Sequence, residues 1–201
     1  FMRPLLLSTN LNFVLSKLNE TFSDMVYYSH MKDDFDITPL KNKKKVNSRA
    51  KGNRFENKVS KLLNERFDTD EFCRTPGSGA FATTHKLPNY LKVYGDLITP
   101  EKFKFIIECK KGYNEEQVSD IFNKKSNICK MIDQAHRDSK KSSRDFLLLI
   151  GQDRREPIAI TNATNLPVQG SYLKGEVNKV EVLMVKLVDL LCIDNTNFFL
   201  E

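Results

Sequence analysis

The segment that most constrains the fold spans residues 93–111, where two apolar stretches flank the turn-like tripeptide PEK. VYGDLIT and FKFIIECKK are rich in β-branched and aromatic residues, which favour β-strands. Two strands joined by so short a connection predict an antiparallel hairpin. The second strand ends in the charged residues Glu108 and Lys110, so the hairpin must place charges beside a buried strand.

The charged residues at the end of this strand predict a metal site. Side chains alternate across a sheet, so Glu108 and Lys110 share one face while Cys109 joins the core on the other. Asp96 lies twelve residues before Glu108, on the first strand, where pairing can bring the two carboxylates together. Two such oxygen ligands suit Mg²⁺, with Mn²⁺ as a substitute.

Lys110 beside such a metal site can orient or activate a water, or stabilise charge that develops on a phosphate. The set predicts hydrolysis of phosphodiester bonds. The alternative is a turn aspartate at Asp96 and a strand-end glutamate that pairs with Lys110 or Lys111.

The flanking segments predict an α/β fold with a mixed central sheet between helices. Residues 48–67 carry an apolar stripe at helical spacing, with Ser48 as a candidate cap. RTPGSGAF predicts a loop. Residues 115–141 are predicted as one helix, RDFLLLIGQ and EPIAIT as strands, and VEVLMVKLVDLLCI as a strand running into a helix.

The first 45 residues predict a separate N-terminal part. Residues 11–30 have the spacing of an amphipathic helix, and a polar segment that ends in a basic run follows. We therefore expect a helix and basic arm over residues 1–45 and a nuclease-type domain over residues 46–201. The apolar stripe of the helix is a candidate dimerisation element.

The positive charge of the chain, +6 overall, is concentrated in residues 41–66, which hold ten basic and two acidic residues. A basic region beside a candidate phosphodiesterase site favours contacts with a DNA backbone over an ordinary solvated surface. The predicted DNA contacts are Lys43, Lys44, Lys45, Arg49, Lys51, Arg54, Arg74 and Lys111.

The four cysteines lie far apart, without zinc-ligand spacing, which predicts reduced core thiols. No apolar run reaches the roughly 20 residues that a membrane helix needs. These features predict a soluble intracellular protein in a DNA-containing compartment, with no membrane partner. His85 and His136 are interpreted as structural or surface residues, because neither belongs to a recognisable triad.

Two motifs resemble a known family. Gly95-Asp96-Leu97 followed by Ile107-Glu108-Cys109-Lys110 resembles the D...ExK core of the PD-(D/E)xK nuclease superfamily, with Gly where that motif has Pro. RAKGNRFE is similar to the opening helix of archaeal and phage Holliday-junction resolvases in this superfamily, whose glutamate matches Glu56. RTPGSG, residues 74–79, resembles their mobile Ser/Gly loop. Gln134-Ala135 with the strand after it resembles the elements that complete their core. The resemblance covers residues 48–160.

The resemblance implies a restriction-endonuclease-like core and a Mg²⁺-dependent endodeoxyribonuclease active in DNA recombination or repair. It implies catalytic roles for Glu56, Ser78, Asp96, Glu108, Lys110 and Gln134, with Glu56, Asp96 and Glu108 as metal ligands. It also implies paired nicks in a four-way junction by a two-fold homodimer. The alternatives are a restriction-like or repair nuclease on duplex DNA, and a non-catalytic DNA-binding protein that keeps the nuclease fold.

Overall fold

The computed structural model of the chain describes residues 47–75, 94–123 and 126–200, apart from the side chains of Val118 and Phe122. The predicted N-terminal helix and basic arm lie outside the described residues. So do Lys43, Lys44, Lys45, Ser78 and His85.

Seven strands of the described residues form one mixed sheet in the order β1-β2-β3-β4-β5-β7-β6. The strands are β1 (Cys73–Arg74), β2 (Leu97–Ile98), β3 (Phe105–Lys111), β4 (Asp145–Gly151), β5 (Ile158–Thr161), β6 (Tyr172–Val177) and β7 (Val180–Lys186). β3 and β4 run parallel, and every other neighbouring pair is antiparallel. Helices flank the sheet, which confirms the predicted α/β class with a restriction-endonuclease-like core.

The predicted hairpin is present, since β2 pairs antiparallel with β3 and Leu97 lies opposite Ile107. β2 is only two residues long. β3 and β4 are almost wholly buried, as expected for apolar strands in the middle of a sheet covered on both faces.

The helices are α1 (Ser48–Phe67), α2 (Asn127–Ser142) and α3 (Leu187–Leu191), and 3₁₀ turns span Val118–Phe122 and Asn195–Asn197. The prediction of Ser48 as the cap of α1 was wrong, because the side chain of Asn47 accepts hydrogen bonds from the first turn. The single helix predicted over residues 115–141 was wrong too. The hydroxyl of Ser126 accepts from the Cys129 amide at 3.2 Å and caps α2 at Asn127.

The two faces of the sheet have different cores. On one face α2 packs Ile128, Ile132 and Ala135 against residues of β3 and β4. On the other, an aromatic cluster joins the end of α1 to the chain terminus, through Phe67, Phe72, Phe103, Phe105, Phe198 and Phe199. These two layers fix α1 and α2 on opposite sides of β3.

The last forty residues, for which the sequence suggested no role, complete this fold. β7 runs into α3, as predicted, whereas β6 was not predicted. The Arg66 guanidinium donates to the carbonyl oxygens of Leu191 at 2.5 Å and Ile193 at 2.9 Å. Arg66 therefore ties α1 to the C-terminal segment.

Cys109 and Cys129 are buried, as predicted, but Cys73 and Cys192 are exposed. The prediction of core thiols was therefore wrong for two of the four. Within the described part of the chain, no helix is long and apolar enough to cross a membrane.

Candidate active site

Gly95 and the backbone around it hold Asp96 in place. Gly95 has φ +85°, and a Cβ atom there would lie 2.3 Å from the carbonyl oxygen of Ile107. Proline, which the superfamily motif has here, is confined to φ near −65° and cannot adopt this conformation. The Asp96 amide donates to the Ile107 carbonyl at 2.8 Å, and its own carbonyl accepts from the Thr75 amide at 2.9 Å. The Cys109 amide donates to Asp96 Oδ2 at 2.8 Å, so the carboxylate is oriented against β3.

Glu108 lies on β3 and is only 5% exposed. Its Oε1 accepts a hydrogen bond from Lys110 Nζ on the same strand and another from Gln134 Nε2 on α2, the latter at 2.7 Å. Lys110 and Glu108 thus share one face of β3, as the strand alternation predicted, and α2 adds Gln134 to them.

Asp96 lies beside Glu108, since its carboxylate is bonded to the amide of the next residue on β3, Cys109. Burial raises the pKa of Asp96 from its ordinary 3.8 to about 7, with a further contribution from the Glu108 charge. The Cys109 amide and the Lys110 charge lower this pKa, and the Glu56 charge raises it. The site thus holds carboxylates whose mutual repulsion is only partly compensated by Lys110.

Lys110 keeps its proton in this setting. Burial alone lowers the pKa of Lys110, but the charge of Glu108, its hydrogen bond and the charge of Asp96 together raise it above its ordinary 10.5. The side chain is therefore an ammonium group at neutral pH, able to donate hydrogen bonds but not to remove a proton.

Glu56 reaches the site from α1, on the opposite side of the sheet from Gln134. The side chain is 8% exposed, and Arg74 Nε on β1 donates to its Oε2 at 2.6 Å. Glu56 therefore influences Asp96 through its charge, while its nearest described partner is Arg74.

The candidate ligands for a metal ion are the carboxylates of Glu56, Asp96 and Glu108. Across residues 47–75, 94–123 and 126–200, no group of three or more His, Cys, Asp or Glu side chains is arranged to hold one. Asp96 and Glu108 nevertheless present two hard carboxylate donors beside the same segment of β3, because the amide of Cys109, the residue after Glu108, donates to Asp96. Burial, and after it repulsion by the Glu108 charge, raises the pKa of Asp96. A divalent cation would relieve this repulsion, so the pair fits Mg²⁺ or Mn²⁺.

Two of the predicted DNA-binding lysines have an acidic partner that the sequence did not reveal. Asp153, in the loop after β4, accepts from Lys51 Nζ at 2.5 Å and pairs with Lys111 at 3.2 Å. Asn114 donates to the same carboxylate at 2.8 Å. The Lys51 hydrogen bond, with those of Asn114 and Lys111, lowers the pKa of Asp153 to about 2. No local sequence signal could have found contacts between residues so far apart in the chain.

The remaining candidates are placed as follows. Arg49 and Arg54 are exposed on α1. His136 packs its ring edge-on against Phe146, with 6.4 Å between centroids, and burial with the Lys140 charge lowers its pKa. His136 lies outside the hydrogen bonds described for Glu108, in agreement with a structural role.

A model of the family described as phage putative PDDEXK endonuclease matches residues 47–190 of the chain. No curated protein and no solved structure matches it.

Proposed function

The chain belongs to the family of phage putative PDDEXK endonucleases, and on that premise we propose that it is a divalent-metal-dependent DNA endonuclease. The observation that carries the proposal is that Asp96 is hydrogen-bonded to β3 next to Glu108, whose Oε1 accepts from both Lys110 and Gln134. Asp96 and Glu108 would hold Mg²⁺ or Mn²⁺. Such a cation supplies Lewis acidity and lowers the pKa of water.

Groups of the chain itself orient the two carboxylates and donate hydrogen bonds to the reacting groups. Gln134 and the Cys109 amide hold the Glu108 and Asp96 carboxylates in fixed orientations, so little reorganisation is needed for each turnover. Lys110, as an ammonium, donates hydrogen bonds to the attacking water or to the phosphate oxygen on which charge develops.

Glu56 is proposed as a further ligand, directly or through water. To take that role its carboxylate must share or leave the hydrogen bond with Arg74. Arg74 would then be available to a DNA phosphate, since a guanidinium binds carboxylate and phosphate by the same paired geometry. Metal binding by Glu56 and DNA binding by Arg74 are thereby coupled through the Glu56–Arg74 ion pair.

The basic residues are proposed to hold the DNA backbone. The proposed contacts within the described residues are Arg49, Lys51, Arg54, Arg74 and Lys111. Lys43, Lys44 and Lys45, with Ser78 as a catalytic or DNA-contacting residue, are proposed from the sequence alone.

For the substrate we propose branched DNA, a four-way junction cut by paired nicks, with a homodimer as the acting species. The support is the resemblance of residues 49–56 to the opening helix of the resolvases. A junction with two symmetric cutting points calls for two symmetric active sites.

The test is cleavage of a labelled four-way junction and of its matched linear duplex, in Mg²⁺, Mn²⁺ or EDTA. The enzymes are wild type, Glu108→Ala, and Glu101→Ala as a control at an exposed turn residue. We expect metal-dependent, symmetric nicking of the junction alone, lost only in Glu108→Ala. Equal cutting of the duplex would keep the nuclease and discard the junction, whereas tight binding without cleavage in any metal would overturn the enzyme.

A further inference from the structure

Among the strands of the described residues, β6 forms one end of the sheet, beyond β7. All but the last of its residues are exposed, including Tyr172 at 48% and Leu173 at 54%. A strand in this position presents unpaired N–H and C=O groups that can pair with another strand.

The turn between β6 and β7 determines which residues carry those groups. Asn178 and Lys179 form a two-residue loop with φ of 50° and 66°, and Val177 pairs with Val180 across it. In such a hairpin the pair next to the loop exchanges backbone hydrogen bonds. Val177 therefore directs its N–H and C=O groups toward β7.

Hydrogen-bonded and non-hydrogen-bonded pairs alternate along an antiparallel ladder. Every second residue back from Val177 thus bonds to β7, and the residues between them, Tyr172, Lys174 and Glu176, direct their N–H and C=O groups away from the sheet. An added strand would pair with these three residues.

A second copy of the same strand complements these residues in one register. Antiparallel pairing about Gly175 places Lys174 opposite Glu176 of the second copy, and Glu176 opposite Lys174. A register centred on Lys174 or on Glu176 would instead set like charges against each other, which is destabilising. The alternation agrees with the first register, because both charged residues carry outward backbone groups.

A like-charge pair within the chain is also resolved by this register. Glu176 lies directly opposite Glu181 on β7, an arrangement that destabilises an isolated hairpin. Lys174 of a second copy would lie on the other side of Glu176 and supply the opposite charge.

The centre of the pairing has room for close approach. A Cβ atom on Gly175 would have no neighbour within 4 Å. At the centre, Gly175 would face its own copy as a non-hydrogen-bonded pair, with Cα atoms about 4.5 Å apart. Leu173 would face Val177 of the second copy, so the most exposed apolar side chain of the strand gains an apolar neighbour.

We propose that two copies of the chain join through β6, antiparallel about Gly175, to form one continuous sheet. This interface extends the proposed function, because its two-fold axis would relate the two active sites that make the paired nicks. It rests on the proposed function in that respect alone.

A cysteine cross-link tests the register. Gly175→Cys would place two cysteines across the two-fold axis within the Cα separation of about 4.4–6.8 Å that a disulfide spans. Lys174→Cys is the matched control, because its own copy would lie diagonally across the axis, beyond that range. On oxidation we expect Gly175→Cys to run at twice the chain mass of 23.2 kDa on a non-reducing gel. Lys174→Cys and the wild type, with its exposed Cys73 and Cys192, should remain single chains.

Charge reversal tests the pairing without a cross-link. By light scattering over a range of concentrations, we expect Lys174→Glu and Glu176→Lys each to weaken the dimer, and the double variant to restore it. Lys130→Glu, a reversal at an exposed position of α2, should leave it unchanged. Gly175→Cys that cross-links no faster than Lys174→Cys, a monomeric wild type, or a dimer that survives both single reversals would overturn the proposal.

Cleavage measured on the same samples separates this inference from the proposed function. A chain that cuts DNA but does not pair through β6 refutes the interface alone. A chain that pairs through β6 but cuts no DNA with any metal refutes the nuclease alone.

Discussion

Replacing Asp96 with asparagine should make the protein more stable in the absence of metal. Burial and the Glu108 charge raise the pKa of Asp96 from 3.8 to about 7, so above pH 7 the folded protein carries a carboxylate in unfavourable surroundings. Asparagine removes that charge and keeps an oxygen that can accept from the Cys109 amide. In the absence of metal, the charge of Asp96 thus lowers the stability of the folded protein.

The size of the effect follows from the pKa. A rise in the pKa of Asp96 from 3.8 to about 7 corresponds to at most about 4 kcal/mol. Solvent access to this half-buried side chain, and the need of the new amide nitrogen for an acceptor, reduce the expected gain to about 1–2 kcal/mol. In a chain of this length that is a rise of about 2–8 °C in Tm.

The gain should depend on pH with a definite sign. Because the folded-state pKa of Asp96 is raised, its favourable contribution is fully present below 3.8 and is lost as the pH rises through about 7. The advantage of Asp96→Asn should therefore be absent near pH 4, grow between pH 4 and 7, and stay constant above that.

The assay is thermal unfolding followed by circular dichroism in EDTA from pH 4 to 8, since bound metal would stabilise the wild type alone. Asp70→Asn, at an exposed position between α1 and β1, is the control and should show no such gain. An Asp96→Asn variant that is no more stable than wild type at pH 8, or whose gain in Tm is as large at pH 4, would refute this prediction.

Three further predictions concern the surroundings of the site. Gln134→Leu should lower the cleavage rate about 10–100-fold at unchanged DNA affinity, because Glu108 loses a donor; an unchanged rate would contradict this. Asp153→Asn should tighten DNA binding and steepen its salt dependence by up to about two phosphate contacts, because Lys51 and Lys111, which share the Asp153 carboxylate, are released. Fluorescence anisotropy at several salt concentrations measures this dependence, and identical slopes for variant and wild type would count against the prediction. Gly95→Ala should abolish cleavage and lower Tm, because its Cβ would collide with the Ile107 carbonyl, and full activity would show that the loop can move.

The elements that could be predicted are those whose pattern is local. Phe55, Val59, Leu62 and Leu63 recur at helical spacing, and all four are buried on α1. The apolar runs of β3 and β4 are long enough to be recognised as buried strands. For the same reason the alternation of Glu108 and Lys110 on β3 was predictable, because a strand has a strict period of two.

The features that could not be predicted depend on distant contacts or on a single hydrogen bond. Asp153 meets Lys51 across more than a hundred residues of sequence, and no local pattern encodes such a pair. Ser126 ends what the apolar periodicity suggested was one long helix. β6 was missed because its exposed residues include Gly175, and it lacks the apolar alternation of a half-buried strand.

Cleavage of the labelled four-way junction in Mg²⁺ by wild type and Asp96→Asn tests the central claim most directly, because the variant is expected to be folded and more stable than the wild type. We expect wild type to nick the junction, EDTA to stop the cleavage, and Asp96→Asn to bind the junction but leave it intact. Nicking by Asp96→Asn at the wild-type rate would contradict the assignment of the active site to Asp96, Glu108 and Lys110.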